Sequence, residues 1–245
     1  MGEDLRRLSD DGARAVRDLV AGLGLRGGDR VRVVADMVAT VDGRAAVQGR
    51  SVALGHPADR ALLRELRTEA DAILVGTGTL AAEKYANLLD DEQRARRVAE
   101  GRPPHPVVVT VSRGLALPVD EAPVFDEPGV PVLAFAEPGA GAPPAVGSDF
   151  DVVRLPAPLR LVDVLAELGA RGLRGVLCEG GPSLLRRLVA ADALDDLLLT
   201  VSPLLAAGGA PSILEGDVLD EPARLTLREV HRADDHAFLH YGLAR

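Results

Sequence analysis

The chain of 245 residues is 47% hydrophobic and 2% aromatic, which suits one large α/β domain or two small ones with a buried core. Its 28 basic and 37 acidic residues leave a net charge of −9, which disfavours nucleic acid as a partner because that binding depends on clustered cations. No apolar stretch reaches the ~18–20 residues that cross a bilayer, and the first residues lack the layout of a signal peptide. We therefore expect a cytoplasmic protein without a membrane partner.

The chain contains one cysteine, Cys178, and five histidines. A single cysteine excludes an internal disulfide and a multi-cysteine zinc site. The histidines lack the spacing of metal ligands, so no bound metal is expected.

The first thirty residues predict a helix that precedes the main domain. Their apolar residues recur at helical spacing, and glycines at 24, 27 and 28 end the pattern. We interpret residues 1–30 as an N-terminal helical extension and residues 31–245 as the main domain. The apolar positions are Leu5, Leu8, Val16, Leu19, Val20 and Leu23.

From residue 31 onward, strand patterns alternate with helical patterns. Strands are predicted at residues 31–39, 72–75, 106–111, 130–135, 151–155, 176–178 and 197–201, and helices at 57–69, 90–100, 159–168 and from Pro182. Two final strands, 225–230 and 237–243, are separated only by a turn at Asp234 and Asp235. This order predicts a mixed, mostly parallel sheet with helices on both faces and an antiparallel C-terminal hairpin.

Three glycine turns follow predicted strands, at Asp42–Gly43, Gly76–Gly78 and Gly180–Gly181. Ligands of such sheets bind beyond the carboxyl ends of the strands, so we expect the three turns to converge on one face. Gly76–Thr77–Gly78–Thr79 could hold phosphate through backbone N–H groups and threonine hydroxyls.

The run from Glu179 to Leu184 predicts a strand end, a glycine turn and a helix start. Pro182 suits the first helical position, and free N–H groups of Ser183 and Leu184 would then point beyond the strand end. A helix start of this kind is a ready phosphate site. An ordinary β-to-α connection is the alternative.

Ser112 and Arg113 follow the strand at 106–111 and could grip a phosphate monoester, such as the 2′-phosphate of NADPH. The alternative is a surface arginine in a turn. Asp42 could hold a substrate hydroxyl or relay a proton, although Asp-Gly is also a common turn pair. His56, just before a helix start, either contacts substrate or caps the helix.

A basic group lies near the predicted site in an otherwise acidic chain. Some of its members would bind an anion, and others would pair with Glu65 and Glu69 along the helix. The group comprises Arg44, Arg50, Arg60, Arg64 and Arg67.

Together these motifs resemble the RibD C-terminal family, the reductase domain of riboflavin biosynthesis, which has a dihydrofolate-reductase-like fold. Thr40–Val41–Asp42–Gly43 is similar to the family's Ser-Leu-Asp-Gly turn, and residues 70–79 are similar to its Ala-Asp-Ala-Ile-Leu-Val-Gly-x-Gly-Thr segment. Residues 179–184 match its Glu-Gly-Gly-x-x-Leu turn. Ser202–Pro203 with Gly208–Gly209 resembles its late Ala-Pro-x-x-x-Gly-Gly element.

The resemblance implies an NADPH-dependent reductase that converts the ribosyl group of a phosphorylated pyrimidine, as a ring-opened imine, into a ribityl chain. It also implies a cis Gly180–Gly181 peptide and a homodimer. Asp42 would be catalytic, facing the ribose or imine, and the substrate site would comprise Asp42, Arg44, His56, Arg60 and Arg64. The NADPH site would comprise Thr40, Gly76, Gly78, Thr79, Ser112, Arg113, Glu179, Gly180, Gly181, Pro182, Ser183 and Leu184.

The chain departs from the family pattern at three places, the first of which is Thr40 in place of the family's serine. Arg44 stands where the family has lysine after Asp-Gly, and residues 81–85 replace an Ala-Asp-x-Pro pattern. With the N-terminal helix, these departures resemble a stand-alone actinobacterial branch whose substrate differs. The zinc deaminase motifs His-x-Glu and Pro-Cys-x-x-Cys are absent, so no deamination is expected. The alternatives are a pterin or folate reductase on the same fold and a non-catalytic NADPH-binding sensor.

Overall fold

One sheet of nine strands runs through the part of the chain that the computed structural model describes, residues 15–26, 28–86 and 88–243. Its strands are β1 (Arg32–Thr40), β2 (Ala72–Leu74), β3 (Val107–Val111), β4 (Pro131–Ala136), β5 (Asp149–Arg154), β6 (Gly175–Cys178), β7 (Asp196–Ser202), β8 (Leu225–Ala233) and β9 (His236–Leu243). The helices are α1 (Val16–Ala21), α2 (Pro57–Glu69), α3 (Thr77–Ala82), α4 (Asp91–Ala99), α5 (Leu161–Ala170) and α6 (Pro182–Ala190).

The strands lie in the order β5-β4-β3-β2-β6-β1-β7-β9-β8. The first seven in this order are parallel to one another, whereas β9 runs antiparallel to β7 and to β8. The predicted fold class is therefore confirmed: a mixed, mostly parallel sheet with an antiparallel C-terminal hairpin.

Helices cover both faces of the sheet because alternate residues of the central strands are apolar on both sides. Val34 of β1 lies in one buried cluster with Leu66 of α2 and Val20 beside the sheet. Its neighbour Val33 lies in the opposite cluster, with Leu168 of α5 and Leu188 of α6. Within the described residues, no helix is long and apolar enough to cross a membrane.

Two predicted segments differ from the structure. Residues 77–79, predicted as part of a glycine turn, are instead the first residues of helix α3. This helix buries Leu80 in an apolar cluster against the sheet. The predicted N-terminal helix is described only as α1, and Leu5 and Leu8 lie outside the described residues. Leu23 is buried with α2, and the boundary at residue 30 stays a prediction.

The segment before β1 crosses the start of β6 so closely that residue 175 must be glycine. A Cβ at Gly175 would overlap the Leu25 carbonyl oxygen and lie 2.9 Å from its carbon. We therefore expect Gly175→Ala to lower the free energy of unfolding by about 1–3 kcal/mol, the usual cost of overpacking, measured by urea denaturation. The control is Gly139→Ala, which has no atom within 4 Å of the new Cβ. Equal midpoints for the two variants would show that the Leu25 segment moves away without cost.

Candidate active site

A cavity of about 730 Å³ opens where β2, β3 and β6 end, and the second half of β1 forms its floor. Parallel strands present their carboxyl ends at one edge of the sheet, which brings two of the three predicted glycine turns together there. Gly76–Gly78 and Gly180–Gly181 both line the cavity. The third turn, at Asp42–Gly43, does not line it.

The two glycine turns form a wall of bare backbone. The N–H of Gly76 donates to the Gly180 carbonyl at 2.8 Å, and the Gly180–Gly181 peptide is cis, as the family resemblance implied. A Cβ on Gly76 would lie 3.1 Å from the Gly181 nitrogen, and one on Gly181 would lie 3.0 Å from the Thr79 hydroxyl oxygen. Side chains at these positions would therefore fill or displace the wall.

Helix α6 begins directly behind this wall, with Pro182 as its first residue. The prediction that the N–H groups of Ser183 and Leu184 are both free is half correct. The Leu184 N–H donates to the Gly181 carbonyl at 3.0 Å, because the first turn of the helix is tight. The Ser183 N–H has no backbone partner among the described residues.

Behind the wall, a nearly buried ion pair joins α2 to the end of β6. Nε and one terminal nitrogen of Arg67 each donate to Glu179 at 2.7 Å, and the Tyr85 hydroxyl donates to the same carboxylate at 2.8 Å. The Arg67 guanidinium also lies 5.0 Å from the centre of the Tyr85 ring. Burial opposes the charge of Arg67, but the Glu179 carboxylate outweighs it and raises the pKa of Arg67. This arrangement engages both oxygens of Glu179, a residue that the sequence assigned to the cofactor.

Three further carboxyl residues line the cavity, Asp36 of β1, Asp59 of α2 and Glu83, which accepts the Ser51 N–H at 2.7 Å. Asp59 accepts a hydrogen bond from the Thr200 hydroxyl at 2.6 Å. Oδ1 of Asp36 is buried without a hydrogen-bond partner among the described residues. Burial raises the pKa of Asp36 well above its usual range, and the negative charges of Asp59 and Glu179 add to this rise. Sequence reasoning missed Asp36, although it is the one charged residue inside the apolar run from 33 to 39.

Asp42, predicted to be catalytic, is exposed and lies outside the cavity lining. Its carboxylate accepts hydrogen bonds from the Thr40 hydroxyl at 2.5 Å and from the N–H groups of Ala206 and Ala207 at 3.0 and 2.7 Å. These donors, with the Thr40 hydroxyl the strongest, lower the pKa of Asp42 to about 2. Asp42 and Thr40 thus hold the loop after β7 in place, and neither is brought to the cavity.

Of the predicted substrate residues, only Arg60 lines the cavity. Its side chain has no hydrogen bond or ion pair within the described ranges. Arg64, one turn along α2, is exposed and lies outside the lining. Arg44 instead donates to the Ala210 carbonyl at 3.0 Å.

His56 caps α2, the alternative that the sequence left open. Its Nδ1 accepts the Ala58 N–H at 3.1 Å, and its Nε2 lies 3.0 Å from Asp234 in the β8–β9 turn. The carboxylates expected to pair within α2 have other partners. Glu65 pairs with Arg96, and Glu69 pairs with arginines outside α2.

Arg113, which follows β3, lies near Arg187 of α6. Neither Ser112 nor Arg113, both predicted to bind the cofactor, is among the residues that line the cavity. Arg113 is exposed and has no ion pair in the described part of the chain, and Arg187 of α6 lines the cavity. Burial lowers the pKa of Arg187, and the positive charge of Arg113 lowers it further. Two guanidinium groups close enough to repel each other favour an anion between them. Ser112 donates to the Ala116 carbonyl at 3.0 Å.

Comparison with known proteins shows the family. The RibD C-terminal domain model matches residues 31–239, so the chain belongs to the RibD C-terminal domain family. The 2,5-diamino-6-ribosylamino-4(3H)-pyrimidinone 5′-phosphate reductase of Archaeoglobus fulgidus is 25% identical and is matched over 80% of this chain and 91% of its own length. The riboflavin biosynthesis protein RibD of Mycobacterium tuberculosis is 30% identical, over 71% of this chain and 42% of its own length.

A solved structure shares the fold over nearly the whole chain. The pyrimidine reductase-like protein of Corynebacterium diphtheriae superposes with a TM-score of 0.79 at 24% identity, covering 95% of this chain and all of that one. At 24% identity, this comparison establishes a shared fold only.

Removing the charge of Glu179 should destabilise the protein strongly. Glu179→Gln leaves the nearly buried Arg67 without its counter-charge, which costs about 3–5 kcal/mol when one partner of a buried pair is lost. Urea denaturation measures this loss. The control is Glu167→Gln, which breaks a surface pair with Arg171 and should cost about 0–1 kcal/mol. Similar losses in the two variants would contradict a structural role for the buried pair.

Proposed function

We propose that this chain is an NADPH-dependent reductase that converts the ribosyl group of a 5-phosphoribosylamino-pyrimidine into a ribityl chain. The observation that carries the proposal is the cavity itself, with a bare-backbone wall on one side and carboxyl groups on the other. Membership of the RibD C-terminal domain family supports it. So does the name of the matched Archaeoglobus protein, a reductase of a ribosylamino-pyrimidinone 5′-phosphate.

The cofactor side of the cavity fits a dinucleotide. The backbone wall at Gly76 and Gly181 leaves room that a Cβ would fill. The Ser183 N–H at the start of α6, which has no partner among the described residues, suits a pyrophosphate oxygen. Arg113 and Arg187 would hold the 2′-phosphate that distinguishes NADPH from NADH. When bound, the nicotinamide supplies the hydride.

The substrate side presents basic groups at the opening and acidic groups on the floor. Arg60 and Lys84 line the cavity and are exposed, so they would bind the 5-phosphate of the substrate. Asp36 and Asp59 lie deeper and would face the ribosyl carbon and its nitrogen. We assign Asp42 to positioning, because its carboxylate holds the loop after β7. A cytoplasmic location stays a prediction of the sequence.

We also propose that the chain forms a homodimer through the β8 edge of the sheet. Among the described strands β8 pairs with β9 alone, and it exposes Leu225 and Leu227 on the same face. Leu205 and Val218, in the segment between β7 and β8, are 80% and 91% exposed. Exposed edges with apolar side chains favour association.

The activity is tested by following NADPH oxidation with three candidate substrates. They are 5-amino-6-(5-phosphoribosylamino)uracil, 2,5-diamino-6-ribosylamino-4(3H)-pyrimidinone 5′-phosphate and dihydrofolate. We expect turnover with a phosphoribosylamino-pyrimidine, because the cavity offers cations for its phosphate. Turnover with dihydrofolate alone would favour a pterin reductase. NADPH binding without turnover of any of the three would favour a sensor.

The cofactor assignment is tested by Arg113→Ala. Loss of one charge-assisted contact, about 1.5–3 kcal/mol, should weaken NADPH binding by about 10- to 150-fold and leave NADH binding within twofold. Calorimetric titration with both cofactors measures the two affinities. Arg171→Ala, at an exposed arginine remote from the cavity, is the matched control. Equal NADPH and NADH affinities in the wild type would contradict the assignment.

The dimer is tested by the double variant Leu225→Glu with Leu227→Glu. Charges on this face should convert the wild-type dimer into a monomer, because burying them in an interface is costly. Light scattering after size-exclusion chromatography measures the mass. Val162→Glu, at an exposed apolar position on α5, should leave the mass unchanged. A monomeric wild type would refute this proposal.

A further inference from the structure

The cavity floor holds two carboxyl groups on neighbouring elements. Asp36 of β1 lies beside Leu198 of the neighbouring strand β7. Thr200, two residues further along β7, donates a hydrogen bond from its hydroxyl to Asp59. Residues two apart on a strand point to the same face. Asp36 and Asp59 therefore project from the same side of the sheet into one cavity.

The two groups have different surroundings. Burial raises the pKa of Asp59, and this rise is opposed by the hydrogen bond from the Thr200 hydroxyl and by the nearby His236, Arg60 and His56 side chains. Asp36 has no hydrogen bond to a described residue, and its Oδ1 is buried.

The charges that face Asp36 come from two elements. Asp59 and Arg67 lie on α2, and Glu179 lies at the end of β6. Arg67, which is paired with Glu179, opposes the rise in the pKa of Asp36 but is the weakest of these influences. The net effect of burial and of the two neighbouring carboxylates is to keep a proton on Asp36.

We propose that Asp36 is the acid that protonates the substrate nitrogen during reduction, with Asp59 keeping Asp36 in its acid form. The proposal rests on the proposed function. The Tyr85 hydroxyl is less suited to proton donation, because it already donates to Glu179 and because burial raises the pKa of Tyr85. A free carboxylic acid that faces the substrate is a common general acid.

In the reduction, a hydride from the reduced nicotinamide forms a C–H bond at the imine carbon, and the π electrons of the C=N bond move to nitrogen. That nitrogen forms an N–H bond with the proton of Asp36, whose O–H bond breaks. The products are the secondary amine, oxidised nicotinamide and the Asp36 carboxylate, which regains a proton from water that enters the open cavity.

The first test compares the pH dependence of turnover in Asp36→Asn, Asp59→Asn and the wild type. Asp36→Asn should lower kcat by at least about a hundredfold, the usual size of a general-acid contribution, and keep the NADPH affinity within twofold. Asp59→Asn should shift the alkaline limb of kcat/KM to lower pH, because removing a negative neighbour lowers the pKa of Asp36. Asp149→Asn, at an exposed position on β5, is the control and should match the wild type.

The second test follows the Asp36 carboxyl carbon by NMR in the ligand-free protein, using ¹³C-labelled aspartate and Asp36→Asn for assignment. The signal of the protonated carboxyl should persist to pH values above those at which aspartate usually titrates. In Asp59→Asn the same signal should titrate at lower pH than in the wild type. If Asp36 titrates in the usual range of aspartate, or if Asp36→Asn turns over like the wild type, the donor role of Asp36 is refuted while the proposed function stands. A wild type that turns over neither pyrimidine would overturn the proposed function and the donor role with it.

Discussion

The ion pair between Arg67 and Glu179 is the interaction on which the site depends. It joins α2, the longest helix in the described part of the chain, to the residue just before the Gly180–Gly181 turn. Tyr85 closes the same carboxylate from the segment after α3. Three segments of the chain are thereby held around one cavity. Because the pair is nearly buried, its cost in desolvation is offset only by the close, two-point geometry of the guanidinium and carboxylate.

Strand β1 contributes both to the core and to the chemistry. Its alternate residues fill apolar clusters on the two faces of the sheet, and this pattern places Asp36 towards α2 rather than towards solvent. A carboxyl group in this place would be costly in an ordinary core. Here it faces an open cavity beside the second carboxyl group of Asp59, and its neighbours in β1 from Val33 to Ala39 are apolar and supply the packing.

The order of elements and the meeting of two glycine turns could be predicted from the sequence, because both follow from hydrophobic periodicity and from the geometry of parallel strands. Side-chain partners could not. Arg67 and Glu179 are 112 positions apart, and nothing local indicates that α2 passes over the end of β6. Asp42 shows the converse limit: its Asp-Gly motif is conspicuous, but its carboxylate is used by the backbone of the loop after β7.

In the proposed reaction, a hydride passes from NADPH to the ribosyl carbon of a phosphorylated pyrimidine held in this cavity. The most direct measurement uses NADPH that carries deuterium at the transferred position of the nicotinamide, with mass spectrometry and NMR of the product. We expect a ribityl product with one deuterium, located at the carbon bonded to the pyrimidine nitrogen. A reduced product without deuterium at that carbon, or no reduced product at all, would contradict the proposed hydride transfer.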